Sequence, residues 1–214
     1  MSPPLRSKTP HYFSRDIAPF SPSEISSARP LTVRWSDFEL QFLTGAGLFS
    51  RSEFDDGSHL LLSTIEREAR LSGAIKFCDL GCGWGSVGTF WAKSHPKHHV
   101  YALDVNARAT QLAKINFERN KIENAVAWCA DGLSATRDES FDVVACNPPI
   151  RAGNAVIETL FDGAYRCLRP QGELWAVIRT AQGAKSWAKK LEAQFGNCET
   201  VEMKGGFRIL RSVR

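Results

Sequence analysis

Apolar and polar residues alternate near the start of the chain in a way that predicts a small cap. Residues 31–35 and 38–43 alternate on either side of a Ser-Asp dipeptide, a pattern typical of two strands joined as a hairpin. From Gly57 to Ala69 the apolar residues recur at helix spacing, and Gly73 follows as a stop signal. Residues 1–30 are rich in proline and serine. We therefore expect an extended N-terminal arm with local turns over residues 1–30, and a hairpin-and-helix cap over residues 31–74.

From residue 75 onward, short apolar runs alternate with amphipathic segments. The apolar runs predict strands at residues 75–80, 100–103, 126–129, 141–146, 173–178, 200–203 and 207–210. The amphipathic segments predict a helix that ends near residue 95 and further helices at residues 107–120, 154–168 and 184–195. This alternation predicts an α/β domain over residues 75–214, with seven strands in a mostly parallel sheet covered on both faces. Gly205 and Gly206 form a hairpin signal, so the last strand should run antiparallel.

Composition narrows the class of protein. The chain has 214 residues, of which 43% are hydrophobic and 23% are charged. These values exclude a disordered chain, a collagen-like fibre and a disulfide mini-scaffold. No apolar run approaches the roughly 18–20 residues of a membrane span. The first six residues lack the apolar region of a signal peptide, and the six cysteines form no C-x-x-C pair, which together predict a cytoplasmic protein with reduced thiols.

Positive charge is concentrated at the two ends of the chain. The formal net charge is +4, with +2 over residues 1–30, +4 over residues 204–214 and −2 over the remainder. Basic ends on a nearly neutral body fit a polyanionic partner such as RNA. They also fit ordinary solvated termini, so charge alone leaves the partner open.

A glycine-rich loop follows the first strand of the predicted sheet and precedes a helix. Its sequence is Asp-Leu-Gly-Cys-Gly-Trp-Gly, from Asp79 to Gly85. Glycine lets the backbone turn tightly and lets a ligand approach the main-chain N–H groups. In open α/β sheets such ligands bind beyond the carboxyl ends of the strands. Gly81, Cys82 and Gly83 are therefore candidate cofactor-binding residues, and the alternative is a simple turn.

Acidic residues at the ends of strands indicate the kind of ligand. Asp104 ends the second strand and could accept both hydrogen bonds of a ribose diol, or it could cap the following helix; Val105 adjoins it. Asp79 would face the pyrophosphate of a dinucleotide unfavourably, but it suits a ligand with a cationic amino-acid end such as S-adenosylmethionine. Asp131 and Gly132 follow the third strand. They could contact an adenine amine or form a plain turn.

The fourth strand leads directly into Asn147, Pro148, Pro149 and Ile150. One interpretation is a rigid turn, since proline fixes its own torsion and donates no hydrogen bond. The other is a fixed pair of acceptors, formed by the asparagine carboxamide and a proline-locked carbonyl. Such a pair could hold both N–H bonds of a planar amino group and direct its lone pair at a methyl sulfonium. These four residues are the candidate catalytic residues.

Together, the Asp-x-Gly-x-Gly loop, Asp104 and Asn147-Pro-Pro-Ile resemble class I S-adenosylmethionine-dependent methyltransferases that modify exocyclic or amide nitrogens. More narrowly, the chain resembles the methyltransferase small domain of ribosomal RNA guanine-N2 methyltransferases (RsmC-like) from His11 onward. The resemblance implies a Rossmann-like fold and S-adenosyl-L-methionine as cofactor. It also implies that Phe49, Ser50 and Gly57 lie over that cofactor.

The chain departs from this family in two respects. Known relatives fuse two such domains, whereas this chain matches only the catalytic-type half. Ile150 replaces the aromatic residue that stacks on the flipped base in adenine-N6 enzymes, which counts against adenine.

The expected function is methylation of guanine N2 in small-subunit (16S) ribosomal RNA. We expect a monomer that binds ribosomal RNA or the ribosomal subunit, and we expect neither a metal ion nor a membrane as a partner. Methylation of a protein glutamine amide, methylation of another rRNA or tRNA base, and a non-catalytic RNA-binding module are the alternatives.

Overall fold

The computed structural model describes residues 18–45 and 54–214, which form two β-sheets and six α-helices. The helices are α1 (Pro22–Ser27), α2 (Asp56–Glu68), α3 (Ser86–Ser94), α4 (Ala107–Arg119), α5 (Asn154–Cys167) and α6 (Ala184–Phe195). The hairpin consists of β1 (Leu31–Trp35) and β2 (Phe38–Phe42). The main sheet consists of β3 (Lys76–Leu80), β4 (His99–Asp104), β5 (Ala125–Cys129), β6 (Phe141–Cys146), β7 (Leu168–Arg179), β8 (Glu199–Lys204) and β9 (Phe207–Val213).

The main sheet has the strand order β5-β4-β3-β6-β7-β9-β8. The strands from β3 to β7 pair in parallel, and β9 runs antiparallel to both of its neighbours. This topology confirms the predicted fold class, a Rossmann-like seven-stranded sheet with an antiparallel last strand and a small N-terminal hairpin. The strand order reverses between β3 and β6, so their carboxyl ends open the crevice in which ligands of such sheets bind.

Helices cover both faces of the sheet because successive strand residues point to opposite sides. Phe77 belongs to the apolar cluster beneath α2, α3 and α4, whereas its neighbour Cys78 belongs to the cluster beneath α5 and α6. On the first face Trp91 stacks on Phe77 with ring centroids 4.4 Å apart. On the second face Trp187 meets Phe161 edge-on at 5.5 Å. Both faces of β3 are therefore buried, which explains its continuous apolar run.

Two asparagines of α4 attach the hairpin to the main domain. Asn116 is fully buried; its Oδ1 accepts from Leu43 N at 2.7 Å, and its Nδ2 donates to Leu43 O and Trp84 O at 3.0 and 2.8 Å. One helical turn later, Asn120 makes the same pair of hydrogen bonds with the backbone of Gln41, at 3.0 and 2.8 Å. The two carboxamides thus form hydrogen bonds with the backbone of β2 and of the residue that follows it, as a neighbouring strand would.

The segment before the hairpin differs from the prediction. Residues 1–30 were expected to form an extended arm with local turns, but α1 occupies Pro22–Ser27 within the described part. A capping box stabilises it, because the Ser21 side chain accepts from Glu24 N while the Glu24 carboxylate accepts from Ser21 N. Just before it, Phe20 exchanges two hydrogen bonds with Gln111 of α4, at 2.6 and 3.0 Å. The Ser-x-x-Glu signature with proline at the first helical position outweighed the general preference of proline and serine for loops.

Smaller differences occur at the ends of elements. Strand β7 begins at Leu168 rather than at residue 173, because Leu168 pairs with Phe141 before a shift in register. Strand β9 continues to Val213, three residues beyond the predicted end. Within residues 18–45 and 54–214, none of the helices has the length and apolar character that crossing a membrane requires.

Candidate functional site

A cleft of about 220 Å³ opens at the carboxyl ends of β3, β4 and β6. The glycine-rich loop forms its floor, with Gly81, Cys82 and Gly83 among the lining residues. Gly81 N and Cys82 N donate to Leu103 O at 2.8 and 3.0 Å, which ties the loop to β4. Gly81 and Gly83 have φ values of 77° and 54°, a region that favours glycine. The sequence-predicted glycine loop therefore lies in the cleft.

Close packing explains a third glycine of the loop. Gly85 precedes α3 with φ of 84°, and a Cβ there would lie 2.8 Å from Ala113 Cβ and 3.0 Å from Ala113 Cα of α4. Because α4 passes so close, only glycine fits at this position. The contact brings the loop against α4, the helix that follows Asp104.

Asp79 lies at the end of β3 and is buried, with 5% of its surface exposed. Its Oδ2 accepts from Gly88 N of α3 at 2.9 Å. The pKa of Asp79 is raised to about 7, chiefly by burial; the Gly88 hydrogen bond opposes this shift, and the negative charge of Asp104 adds a smaller increase. A cationic ligand in the cleft would favour the ionised carboxylate.

Asp104 ends β4 and lines the same cleft. Its Oδ2 accepts from Gly83 N at 2.9 Å and its Oδ1 accepts from Asn106 N at 2.8 Å. Burial raises the pKa of Asp104 to about 6, and these backbone donors oppose the shift. A carboxylate offers about four lone-pair sites, so Asp104 retains capacity to accept from a ligand hydroxyl. Val105, Asp131 and Gly132 also line the cleft.

Asn147 lies at the end of β6, on the other side of the switch point, and Pro148 and Pro149 line the cleft beside it. Asn147 Nδ2 donates to Asp55 Oδ2 at 2.8 Å and to Ser58 Oγ at 3.0 Å. Both protons of the amino group are therefore engaged, whereas Asn147 Oδ1 accepts no hydrogen bond from the described residues.

The two proline carbonyls are each partly engaged. Pro148 O accepts from Ile150 N at 2.9 Å, and Pro149 O accepts from Ala152 N at 2.8 Å, as the chain enters the short 3-10 turn Ile150–Ala152. A carbonyl oxygen has two lone pairs, so each retains one acceptor site. An amino group in the cleft could thus be held by Asn147 Oδ1 together with a proline carbonyl.

Some predicted site residues lie elsewhere. Ile150 does not line the cleft but packs against the apolar cluster beneath α5 and α6. Gly57 lies in α2 outside the cleft lining, where a Cβ would come within 2.9 Å of the Phe207 ring. Phe49 and Ser50 are outside the described residues. The cofactor and catalytic roles of these four residues stay predictions.

Asp55 and Ser58 also line the cleft, although neither was among the predicted site residues. Asp55 is the N-cap of α2, since its Oδ2 accepts from Ser58 N at 2.8 Å. An aspartate just before an apolar run at helix spacing is the usual signal for such a cap. That signal could have located the start of α2, although it carries no information about the proximity of Asn147.

The basic C-terminal segment divides between two edges of the sheet. Lys204 ends β8 and Arg208 lies near the start of β9, beside the carboxyl end of β7 and therefore at the edge that carries the cleft. Arg211 and Arg214 lie toward the opposite edge, where Arg211 pairs with Glu173 and Arg214 pairs with Glu139 at 3.3 Å. Arg211 and Arg214 thus have carboxylate partners within the fold, and contact of the basic end with a polyanion stays a prediction.

Histidine, cysteine and acidic side chains form no group of three or more that could hold a metal ion, as far as the described ranges extend. The polar groups of the cleft are carboxylates, a carboxamide, two hydroxyls, a thiol and main-chain N–H and C=O groups. This set suits an organic ligand that carries both hydrogen-bond donors and a positive charge.

Comparisons with known proteins agree with this geometry. The family model of the methyltransferase small domain matches residues 39–211. The protein YbxB of Bacillus subtilis (strain 168), which is named as uncharacterized, is 34% identical over 94% of this chain and 97% of its own length. Ribosomal RNA large subunit methyltransferase G of Streptomyces avermitilis is 36% identical over 79% of this chain and 44% of its own length.

Among solved structures, the 16S rRNA guanine-N2 methyltransferase RsmC of T. thermophilus, in complex with AdoMet and guanosine, superposes with a TM-score of 0.77. It is 25% identical, and the match covers 87% of this chain and 50% of that chain. The chain thus spans nearly all of YbxB and about half the length of the two rRNA methyltransferases. These matches confirm the resemblance found in the sequence, and the chain belongs to the methyltransferase small domain family.

Proposed function

We propose that this chain transfers a methyl group from S-adenosylmethionine to an exocyclic amine of ribosomal RNA, with guanine N2 of the small-subunit RNA as the acceptor. One observation carries the proposal. The Asn147 carboxamide has both amino protons bound inside the cleft, so its oxygen remains as an acceptor for a donor group. The same cleft contains the two strand-end carboxylates Asp79 and Asp104.

The chemistry of the cleft fits the proposed cofactor. Asp79 would hold the cationic amino-acid end, and Asp104 would accept from the ribose hydroxyls through its remaining lone pairs. Val105, Asp131 and Gly132 would border the adenine. When bound, S-adenosylmethionine supplies an electrophilic methyl group on a sulfonium.

The acceptor side needs positioning rather than a strong base. Asn147 Oδ1 and the free lone pair of the Pro148 carbonyl would accept the two N–H bonds of the amino group, which fixes its nitrogen and directs the lone pair. Positioning of this kind contributes several kcal/mol, on the order of 7–11 in favourable intramolecular cases. The amine loses its proton as or after it attacks. A base within RNA would have to leave its stack to reach Asn147.

Two observations favour RNA over a protein amide as the substrate. Lys204 and Arg208 lie at the edge of the sheet that carries the cleft, where they could contact phosphates. The two relatives described above with an assigned activity are named as rRNA methyltransferases. Because one of them acts on the large subunit, large-subunit rRNA is the second candidate acceptor.

Replacement of Asn147 tests the proposal. We expect Asn147→Ala to lower methyl transfer at least about 100-fold while the cofactor Kd stays within about twofold, because the lost group positions the acceptor and not the cofactor. The assay uses labelled S-adenosylmethionine with ribosomal subunits and naked rRNA from a strain that lacks this protein, followed by nucleoside mass spectrometry. Asn154→Ala, at an exposed asparagine seven residues further on, is the matched control.

The same assay distinguishes the alternatives. Label in N2-methylguanine of 16S rRNA supports the proposed acceptor, and label in 23S rRNA favours the second candidate. Label that survives ribonuclease but not protease would identify a protein amide. Full activity of Asn147→Ala would refute the proposed role of the site.

A further inference from the structure

The orientation of the Asn147 carboxamide is determined by α2, an element outside the sheet that carries Asn147. A carboxamide has two nearly isosteric orientations, one presenting its oxygen to the acceptor and the other presenting its NH2 group. Only the first orientation can accept hydrogen bonds from an amino group, because in the second the NH2 group of the carboxamide would face the NH2 group of the acceptor. The activity proposed above therefore depends on which orientation is held.

Asp55 selects the orientation through its chemistry. An ionised carboxylate can only accept hydrogen bonds, so the side of the carboxamide that faces it must be the NH2 group. Asp55 Oδ2 accepts from Asn147 Nδ2 at 2.8 Å, and the same oxygen accepts from Ser58 N at 2.8 Å. The second bond is the N-cap of α2, which holds the carboxylate in place.

Ser58 engages the remaining proton of the amino group. Its Oγ accepts from Asn147 Nδ2 at 3.0 Å, and the residue is 8% exposed. Reversal of the carboxamide would place Asn147 Oδ1 against the Asp55 carboxylate, so that two acceptors face each other and the hydrogen bond to a charged group is lost. The two contacts therefore hold one orientation.

We propose that Asp55 and Ser58 are positioning residues that lock the Asn147 carboxamide with its oxygen toward the acceptor, and so make the site selective for groups that donate hydrogen bonds. The inference rests on the proposed methyl transfer for its kinetic consequences. The orientation itself is independent of the substrate and can be measured without it.

Nuclear magnetic resonance of the 15N-labelled protein tests the orientation directly. We expect the two side-chain NH2 protons of Asn147, assigned by their absence in Asn147→Ala, to exchange with water at least about tenfold more slowly than those of the exposed Asn154. Ser58→Ala should accelerate exchange of one proton. Equal exchange rates for Asn147 and Asn154 in the wild-type protein would overturn the inference.

Three variants of Asp55 separate positioning from helix capping. Asp55→Asn keeps an oxygen that can serve both contacts, so kcat should stay within about threefold of the wild-type value. Asp55→Ser keeps a capping oxygen but shortens the side chain, so the melting temperature should change little while kcat falls about 100-fold. Asp55→Ala removes both hydrogen bonds, so both the melting temperature and kcat should fall. Throughout the series, the cofactor Kd should stay within about twofold.

Ser58→Ala and Asp56→Ala complete the kinetic test. Ser58→Ala should lower kcat about tenfold, the equivalent of one hydrogen bond of about 1.4 kcal/mol, with the cofactor Kd unchanged. Asp56→Ala removes an exposed acidic residue from the same helix start without touching Asn147, and it should behave as wild type. Wild-type kcat in Asp55→Ser and Ser58→Ala, or equal losses in Asp56→Ala, would overturn the positioning role.

Failure of the two proposals would look different. If the wild-type protein transfers no methyl group to rRNA but the Asn147 amino protons are protected, the proposed substrate is wrong and the lock is supported. If rRNA is methylated while the amino protons exchange freely, the substrate is supported and the lock is wrong.

Discussion

The affinity for S-adenosylmethionine should fall as the pH is lowered from 7 to 5, because of Asp79. Burial raises the pKa of this carboxyl to about 7, so protonation begins close to neutral pH. In the proposed site, the cationic amino-acid end of the cofactor would interact with the ionised form. Binding therefore requires the loss of a proton that the free protein increasingly retains as the pH falls.

The magnitude follows from the pKa. The ionised fraction of Asp79 is about 50% at pH 7 and about 1% at pH 5, so the affinity should decrease about 50-fold, or about 2.3 kcal/mol. At pH 6 each binding event should release about 0.9 proton. The predicted pH dependence applies only up to pH 7. Below that pH the α-amino group of the cofactor stays protonated, because the pKa of such a group is about 7.7–8.0.

Isothermal titration calorimetry in two buffers of different ionisation enthalpy measures both the affinity and the number of protons released on binding. 5′-Methylthioadenosine is the matched control ligand, since it has the adenine and ribose but no amino-acid end. Asp104, with its pKa raised to about 6, should affect both ligands through the ribose, so the ratio of their affinities isolates Asp79. Asp79→Asn should make that ratio independent of pH. A wild-type ratio that is constant within about twofold, with proton release below about 0.2, would refute the reasoning.

Three further perturbations test the fold and the charged edge. Gly85→Ala should lower the free energy of unfolding by about 3 kcal/mol, because Gly85 has a positive φ and α4 passes close to it. Gly73→Ala should lower it by only about 1 kcal/mol, because Gly73 also has a positive φ but the space around it is open. Equal losses for the two variants in urea denaturation would contradict this prediction. Asn116→Ala should lower the free energy of unfolding by about 3 kcal/mol, because it removes three buried hydrogen bonds to the backbone of Leu43 and Trp84. A loss below about 1 kcal/mol in the same assay would contradict this estimate. Lys204→Ala should reduce the slope of log rRNA affinity against log salt by about 0.7–0.9, whereas Arg211→Ala should leave it unchanged.

Much of the candidate site could be predicted because it lies at the ends of strands. Asp79 and Asp104 lie at the ends of apolar runs that indicate buried strands, and Asn147 directly follows another such run. The carboxyl ends of parallel strands meet at one edge of a sheet, so three residues far apart in the chain could be expected to share a cleft. The glycine loop added local evidence, because backbone positions with positive φ favour glycine and can therefore be recognised from the residue type.

Other features left no usable signal in local patterns. Asn116 and Asn120 read as the polar side of an amphipathic helix, yet they pair with the backbone of the hairpin. The basic residues from Lys204 onward read as one charged end, but the direction of β9 carries Arg211 away from the cleft toward Glu173. In both cases the partner is chosen by packing rather than by sequence neighbours.

The sequence by itself determined the order of the helices and strands, the parallel α/β class, the glycine loop and the residues at the strand ends. These follow from periodicity and turn chemistry, which act over a few residues. Only the tertiary structure decided that α2 brings Asp55 and Ser58 to Asn147, 92 and 89 positions away in the chain. The physical reason is that a hydrogen bond between distant residues depends on how a helix packs on a sheet, and burial of an apolar face does not by itself specify where the polar end of that helix comes to rest.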